Sequence, residues 1–203
     1  YPQLRYPFDR PHPQVVLLEL SDNESEDHAR AIFEALMETA FEAGVVQDAV
    51  VAESVQQSRD FWNLREHIPL AQVDDGKNIK HDIAVPISRI ADFIDTTDAL
   101  IQQAFPGARM VTFGHLGDGN LHYNVSAPVG ESHDAFLGNS EAINLIVHDS
   151  VHAHRGSISA EHGLGQLKRE ENRRYKSGVE LAMMRAIKQA LDPQGLMNPG
   201  KVI

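Results

Sequence analysis

Residues 108–128 read ARMVTFGHLGDGNLHYNVSAP. ARMVTFGH and LHYNVSAP both carry the β-branched and aromatic residues that favour strands. Gly117-Asp118-Gly119-Asn120 between them is turn chemistry, so the segment predicts a β-hairpin. A hairpin forces an antiparallel pair. That decides the fold class, because the remaining pattern alternates strands with helices and would otherwise suggest a parallel sheet.

Working outward, HDIAVP (81–86) predicts a strand and 88–105 a helix capped by Ser88, broken at Pro106-Gly107. Upstream, VVLLEL (15–20) and DAVVAES (48–54) predict strands, and 29–44 a helix that stops at Gly44. Residues 58–72 begin a further helix that Pro69 should end or kink. Downstream, helices are expected over roughly 139–155 and 176–191, with a short strand near 157–160 and a loop-like tail. The expectation is an α+β fold, a mostly antiparallel sheet flanked by helices. The loosely repeated strand–helix pattern of the two halves suggests two ferredoxin-like lobes. Phe61, Trp62 and Phe93 read as core.

The hairpin also carries chemistry. His115 and His122 are seven apart and straddle the turn, and residues flanking a hairpin loop face each other. About forty residues later SISAEHGLG (157–165) supplies Glu161 and His162. Two imidazoles and a carboxylate are a common set for a divalent metal with an open position. His162 stands beside the carboxylate, where a proton acceptor is useful, and Asp118 is placed to orient an imidazole. The plainer alternative stays open at this point: a histidine near a turn is commonly structural, and tight turns use glycine for their own sake. No glycine-rich loop sits between a strand and a helix in a dinucleotide-binding pattern.

Composition narrows the class. The chain has 203 residues, 42% of them hydrophobic, a net charge of −11 and no cysteine. The charge argues against a nucleic-acid partner. The absence of cysteine removes disulfide scaffolds, iron–sulfur clusters and cysteine zinc fingers, and fits a cytoplasmic location. No apolar run approaches a membrane span and no secretory signal is visible. The start at Tyr1 reads as a piece of a longer protein.

GHLGDGNLHYN (114–124) with SAEHGLG resembles the C-terminal domain of FAD-linked oxidases and dehydrogenases of 2-hydroxy acids. FWNLREHIPLAQ (61–72), KHDIAVPISRI (80–90) and LDPQGLMNPGKVI (191–203) fit the same family in order, so the resemblance spans residues 1–203. It is nearest the D-2-hydroxyglutarate dehydrogenase branch, with D-lactate dehydrogenases and the glycolate oxidase flavoprotein subunit in the group. The resemblance implies His115, His122 and Glu161 as metal ligands, zinc being the expected ion, and His162 as base. It implies Arg65, Lys80 and Asn124 as substrate contacts and Asn198 near the flavin. It further implies that FAD is held mainly by a preceding domain and that the substrate is a small 2-hydroxy acid; a homodimer is compatible with the sequence, which does not itself give the oligomeric state. The electron acceptor is not implied. One departure stands out: the hydroxyglutarate-type pattern places a threonine where this chain has Pro69, which leaves the substrate's chain length open. Two other readings of the same residues are a metal-dependent hydrolase and a non-catalytic module that binds a metal or hydroxy acid.

Overall fold

A computed structural model describes all of residues 1–203. They divide into two units, Tyr1–Asp75 and Gly76–Ile203. The second is built on the expected hairpin. Strands β2 (Arg109–His115) and β3 (Asn120–Ser126) are joined by a single 3-10 turn over Leu116–Asp118. Strand β1 (Asn78–Ala84) pairs with the other edge of β3, so the antiparallel order is β1-β3-β2.

Helix α3 (Ile90–Ala104) carries the chain from β1 across to β2. Helix α5 (Ser140–Ala153) returns it, and an isolated antiparallel bridge then joins Ser157 to Ala84 on the free edge of β1. Strand–helix–strand–strand–helix–bridge is the ferredoxin-like arrangement, its last strand reduced to one residue pair. Gly156 permits that bridge: a Cβ there would lie 2.3 Å from the Ala84 carbonyl oxygen.

One face of the sheet is apolar because side chains alternate along a strand. Ile79, Ile83, Leu121, Tyr123 and Val125 turn inward and meet Ile90, Phe93 and Ile101 of α3 and Ile143, Val147 and Val151 of α5. Two histidines belong to this core. His81 bonds through Nδ1 to the Tyr123 carbonyl (2.7 Å) and through Nε2 to Asn144 (2.9 Å), and burial pushes its pKa down to about 4. His148 packs against His81 and Tyr175. Helices α6 (Arg169–Tyr175) and α7 (Gly178–Leu191) follow, α7 opened by a capping box between Ser177 and Glu180. The NPGK tail folds back within this unit: Val202 N donates to the Gly165 carbonyl and Asn172 donates to the Val202 carbonyl.

The first unit departs from expectation. It contains helices α1 (Glu26–Glu42) and α2 (Val55–Asp75), while residues 15–20 and 48–54 form no strands. A second ferredoxin-like lobe is therefore not formed; the sheet has three strands, all in the second unit. Two short runs without a third partner make at best a marginal ladder, and Val15, Val16, Leu18 and Val51 are exposed. Helix α2 runs through Pro69 to Asp75 instead of ending there. Trp62 lies on its exposed side and donates to Glu19 (2.8 Å), so it is not core, whereas Phe93 is fully buried. Ser88 falls inside a 3-10 turn before α3 and does not cap that helix. The short helix α4 (His133–Phe136) and α6 lie in stretches where no helix was expected. No helix is long and apolar enough to cross a membrane.

Candidate functional site

The same alternation that makes one face of the sheet apolar makes the other polar. Lys80, Asp82, Asn120, His122, Asn124 and His115 all project from it. Register sets their neighbours: Lys80 stands opposite Asn124, Asp82 opposite His122, and His115 opposite Asn120. The opposite edge of β3 brings Phe113 beside the His122 ring, at 5.0 Å between centroids.

Glu161 and His162 come from the loop after the Ser157 bridge. Three side chains, those of Lys168, Ser157 and Asp82, bend that loop over the polar face. Lys168 Nζ donates to the Ile158 carbonyl (2.8 Å), and Ser157 Oγ donates to the Ser159 carbonyl (2.7 Å). Asp82 Oδ2 accepts the backbone N–H groups of Ala160 (3.1 Å), Glu161 (3.0 Å) and His162 (2.8 Å). Asn120 Nδ2 then donates to Glu161 Oε1 at 2.5 Å, and His115 Nδ1 lies 3.7 Å from that same oxygen.

Electrostatics follow from these contacts. Burial opposes ionisation of Asp82, but the three N–H donors and the His162 imidazole outweigh it and hold the carboxyl below its usual range. Burial also pushes the Lys168 ammonium down, opposed by the charges of Asp82 and Glu171. The site is thus an anionic patch on the sheet face, with the exposed imidazoles of His115 and His162 beside it.

The expected residues are partly assembled. Ligand atoms of Asp82, His122 and Glu161 lie within 4.8 Å of one another and could hold a metal ion. His115 joins this group through Glu161, and His162 Nδ1 lies 3.8 Å from Asp82 Oδ2. Lys80 is exposed and Asn124 buried on the same face. Arg65 sits half-buried on α2 of the first unit. Asn198 occupies a left-handed turn of the tail (φ 46°), where its carbonyl accepts from Lys201 N. Asp118 is exposed in the hairpin turn; the carboxylate facing the His122 imidazole is Asp82, whose Oδ1 is 4.0 Å from His122 Nδ1.

Sequence reasoning missed Asp82 and Asn120. The available signal for Asp82 was an acid inside an otherwise apolar strand, HDIAVP, two residues after Lys80 and so on the same face. Asn120 reads in sequence as the last residue of the glycine turn.

Fold and face together define a ferredoxin-like α+β domain that carries a histidine–carboxylate group, with Lys80 on the same sheet face. The chain belongs to the family described as FAD linked oxidases, C-terminal domain, whose pattern matches residues 3–202. It is 37% identical over 196 residues to the D-2-hydroxyglutarate dehydrogenase of Stutzerimonas stutzeri (strain A1501), covering 97% of this chain and 42% of that protein. It is 39% identical over 198 residues to the protein of that name from Xanthomonas citri pv. viticola, covering 97% and 41%. The mitochondrial D-2-hydroxyglutarate dehydrogenase of Arabidopsis thaliana is 36% identical over 200 residues, covering 98% and 34%. The chain therefore spans well under half the length of the curated relatives it matches.

Proposed function

We propose that this chain forms the substrate side of a flavin-dependent dehydrogenase that oxidises a D-2-hydroxy acid to the 2-oxo acid. One observation carries the reading: His115, His122, Lys80 and Asn124 share a single sheet face over which the Glu161-His162 loop is folded. The relatives' names agree with that substrate class.

The donor set fits a divalent ion. Asp82 Oδ1 is buried without a hydrogen-bond partner beside His122 and Glu161, the sort of polar vacancy a cation nearby would relieve. We assign His115, His122 and Glu161 to hold the ion, with zinc suited to two imidazoles and a carboxylate. When bound, the ion supplies Lewis acidity toward the substrate hydroxyl.

FAD is a different matter. Its phosphates ask for open backbone N–H groups at a glycine-rich turn. The glycine turn here is closed against β1, because a Cβ on Gly119 would lie 2.2 Å from the Val85 carbonyl oxygen. That turn offers no cradle for the phosphates, and we assign this chain's part in the reaction to the substrate.

The chain's own groups then divide the work. The exposed His162 imidazole takes the hydroxyl proton as general base, and the Asp82 charge beside it stabilises the resulting imidazolium. The Lys80 ammonium and Asn124 amide hold substrate carboxylate oxygens. The family's flavin, held outside this chain, would supply the acceptor for the C2 hydrogen and its electron pair.

The test is a panel of D- and L-2-hydroxy acids, including D-2-hydroxyglutarate, D-malate and D-lactate, given to the FAD-loaded protein with dye reduction as readout. The D-acids should reduce the dye, and absence of reduction by all of them sinks the reading. His162→Ala should abolish turnover while bound metal persists; unchanged turnover would remove His162 as base.

A further inference from the structure

We infer that Asp82 is the positioning residue of this site, one carboxylate that sets both the Glu161-His162 loop and the His122 ring. The inference rests on the reading of this face as the metal and substrate site, and it goes further by assigning to Asp82, whose Oδ1 stands in the group that could hold an ion, the role of positioning the ligands and base proposed above.

Asp82 Oδ2 accepts three consecutive backbone N–H groups, those of Ala160, Glu161 and His162. Successive amides converging on one point form a concave anion site of the kind that usually takes a phosphate or other external anion. Here the protein's own carboxylate fills it. The consequence is mechanical: the two residues proposed as ligand and base cannot shift along the sheet face without breaking charge-assisted bonds. The anchor is itself rigid. Asp82 is 4% exposed, in the middle of β1, and its strand partner is His122.

The second oxygen completes the arrangement. Asp82 Oδ1 is buried, lacks a hydrogen-bond partner, and lies 4.0 Å from His122 Nδ1. A buried carboxylate oxygen without a donor is costly, and the His122 Nδ1 atom 4.0 Å away lies outside hydrogen-bond range but within electrostatic reach of it. Were the Asp82 charge to hold a proton on Nδ1, Nε2 would be the lone-pair nitrogen left for an ion. One side chain therefore couples a histidine of the hairpin to a loop some eighty residues from Asp82 itself in sequence.

Amide hydrogen exchange and zinc titration on the FAD-loaded protein test this. Asp82→Ala should speed exchange of the 160–162 amides at least tenfold, with or without zinc, and weaken zinc binding roughly 10- to 100-fold. It should lower kcat more than it changes KM. Asp82→Asn keeps one acceptor oxygen, so it should restore part of the protection, and it serves if the alanine variant does not fold. Unchanged exchange at 160–162 in both variants overturns the inference. So does loss of zinc in Asp82→Asn as complete as in His122→Ala, which would make Asp82 a ligand. Failure of the underlying reading looks different: the wild-type protein would bind no zinc, while the exchange comparison would still report on the clamp.

Discussion

Gly119→Ala and Gly117→Ala, two methyl additions in one turn, should behave oppositely. Gly119 has φ +69°, where a side chain costs about 1–2 kcal/mol. Its added Cβ would lie 2.2 Å from the Val85 carbonyl oxygen, and real Cβ atoms keep at least 3.0 Å. The turn must therefore move off β1, stretching the 2.9 Å bond from Val85 N–H to the Gly119 carbonyl, which contributes about 0.5–1.5 kcal/mol. The reduced freedom of the unfolded chain returns about 0.4–1 kcal/mol. The net expectation is a loss of about 2 kcal/mol for Gly119→Ala. At Gly117 a Cβ meets nothing within 4 Å, so Gly117→Ala should stay within about 0.5 kcal/mol of the parent.

Urea unfolding at equilibrium measures both, with the midpoint carrying the change and a constant slope confirming that the end states are comparable. Heat gives a parallel readout, about 2–4 °C per kcal/mol for a chain of this size. If Gly119→Ala lies within 0.5 kcal/mol of the parent, or Gly117→Ala costs as much, then the turn is not held against β1. The placement of His115 and His122 by that contact would fall with it.

Removing the Glu161 support should act on metal without acting on fold: Asn120→Ala loses the 2.5 Å bond to Glu161 Oε1 and should weaken zinc binding roughly 10- to 100-fold in calorimetric titration, with unfolding changed little. Stability should also fall with acid through His148, whose pKa is pushed to about 3 by burial, then by His81 and Lys168, with Asp149 opposing. The native state keeps it neutral while the unfolded chain protonates near 6.5, so the contribution is whole above that pH and is lost toward pH 3, at up to about 1.4 kcal/mol per pH unit. His148→Phe should flatten the urea midpoint between pH 6.5 and 4; an unchanged slope there would mean His148 does not titrate with unfolding.

What the sequence disclosed and what it hid divide along one physical line. Local signals were legible: the glycine turn predicted the hairpin, the hairpin required an antiparallel sheet, and helical spacing found α3, α5 and α7. The spacing of His115 and His122 was legible for the same reason, since a hairpin converts sequence distance into proximity. Residues 15–20 and 48–54 misled because strand character records apolar content, whereas a strand exists only where a partner completes the ladder. Asp82 and Asn120 were illegible because their meaning comes from partners about eighty and forty residues away, Ala160–His162 and Glu161. The histidines show the same limit from the other side. His81 and His122 differ only in which face of the sheet their strand position selects, and register, not residue type, makes one a core side chain and the other a candidate ligand. A one-residue slip of β1 would bring His81 to the polar face and bury Asp82 among Phe93 and Ile143. The buried charge would then lose all three of its amide donors. The pairing that builds this sheet and the pairing that builds its site are therefore the same set of contacts.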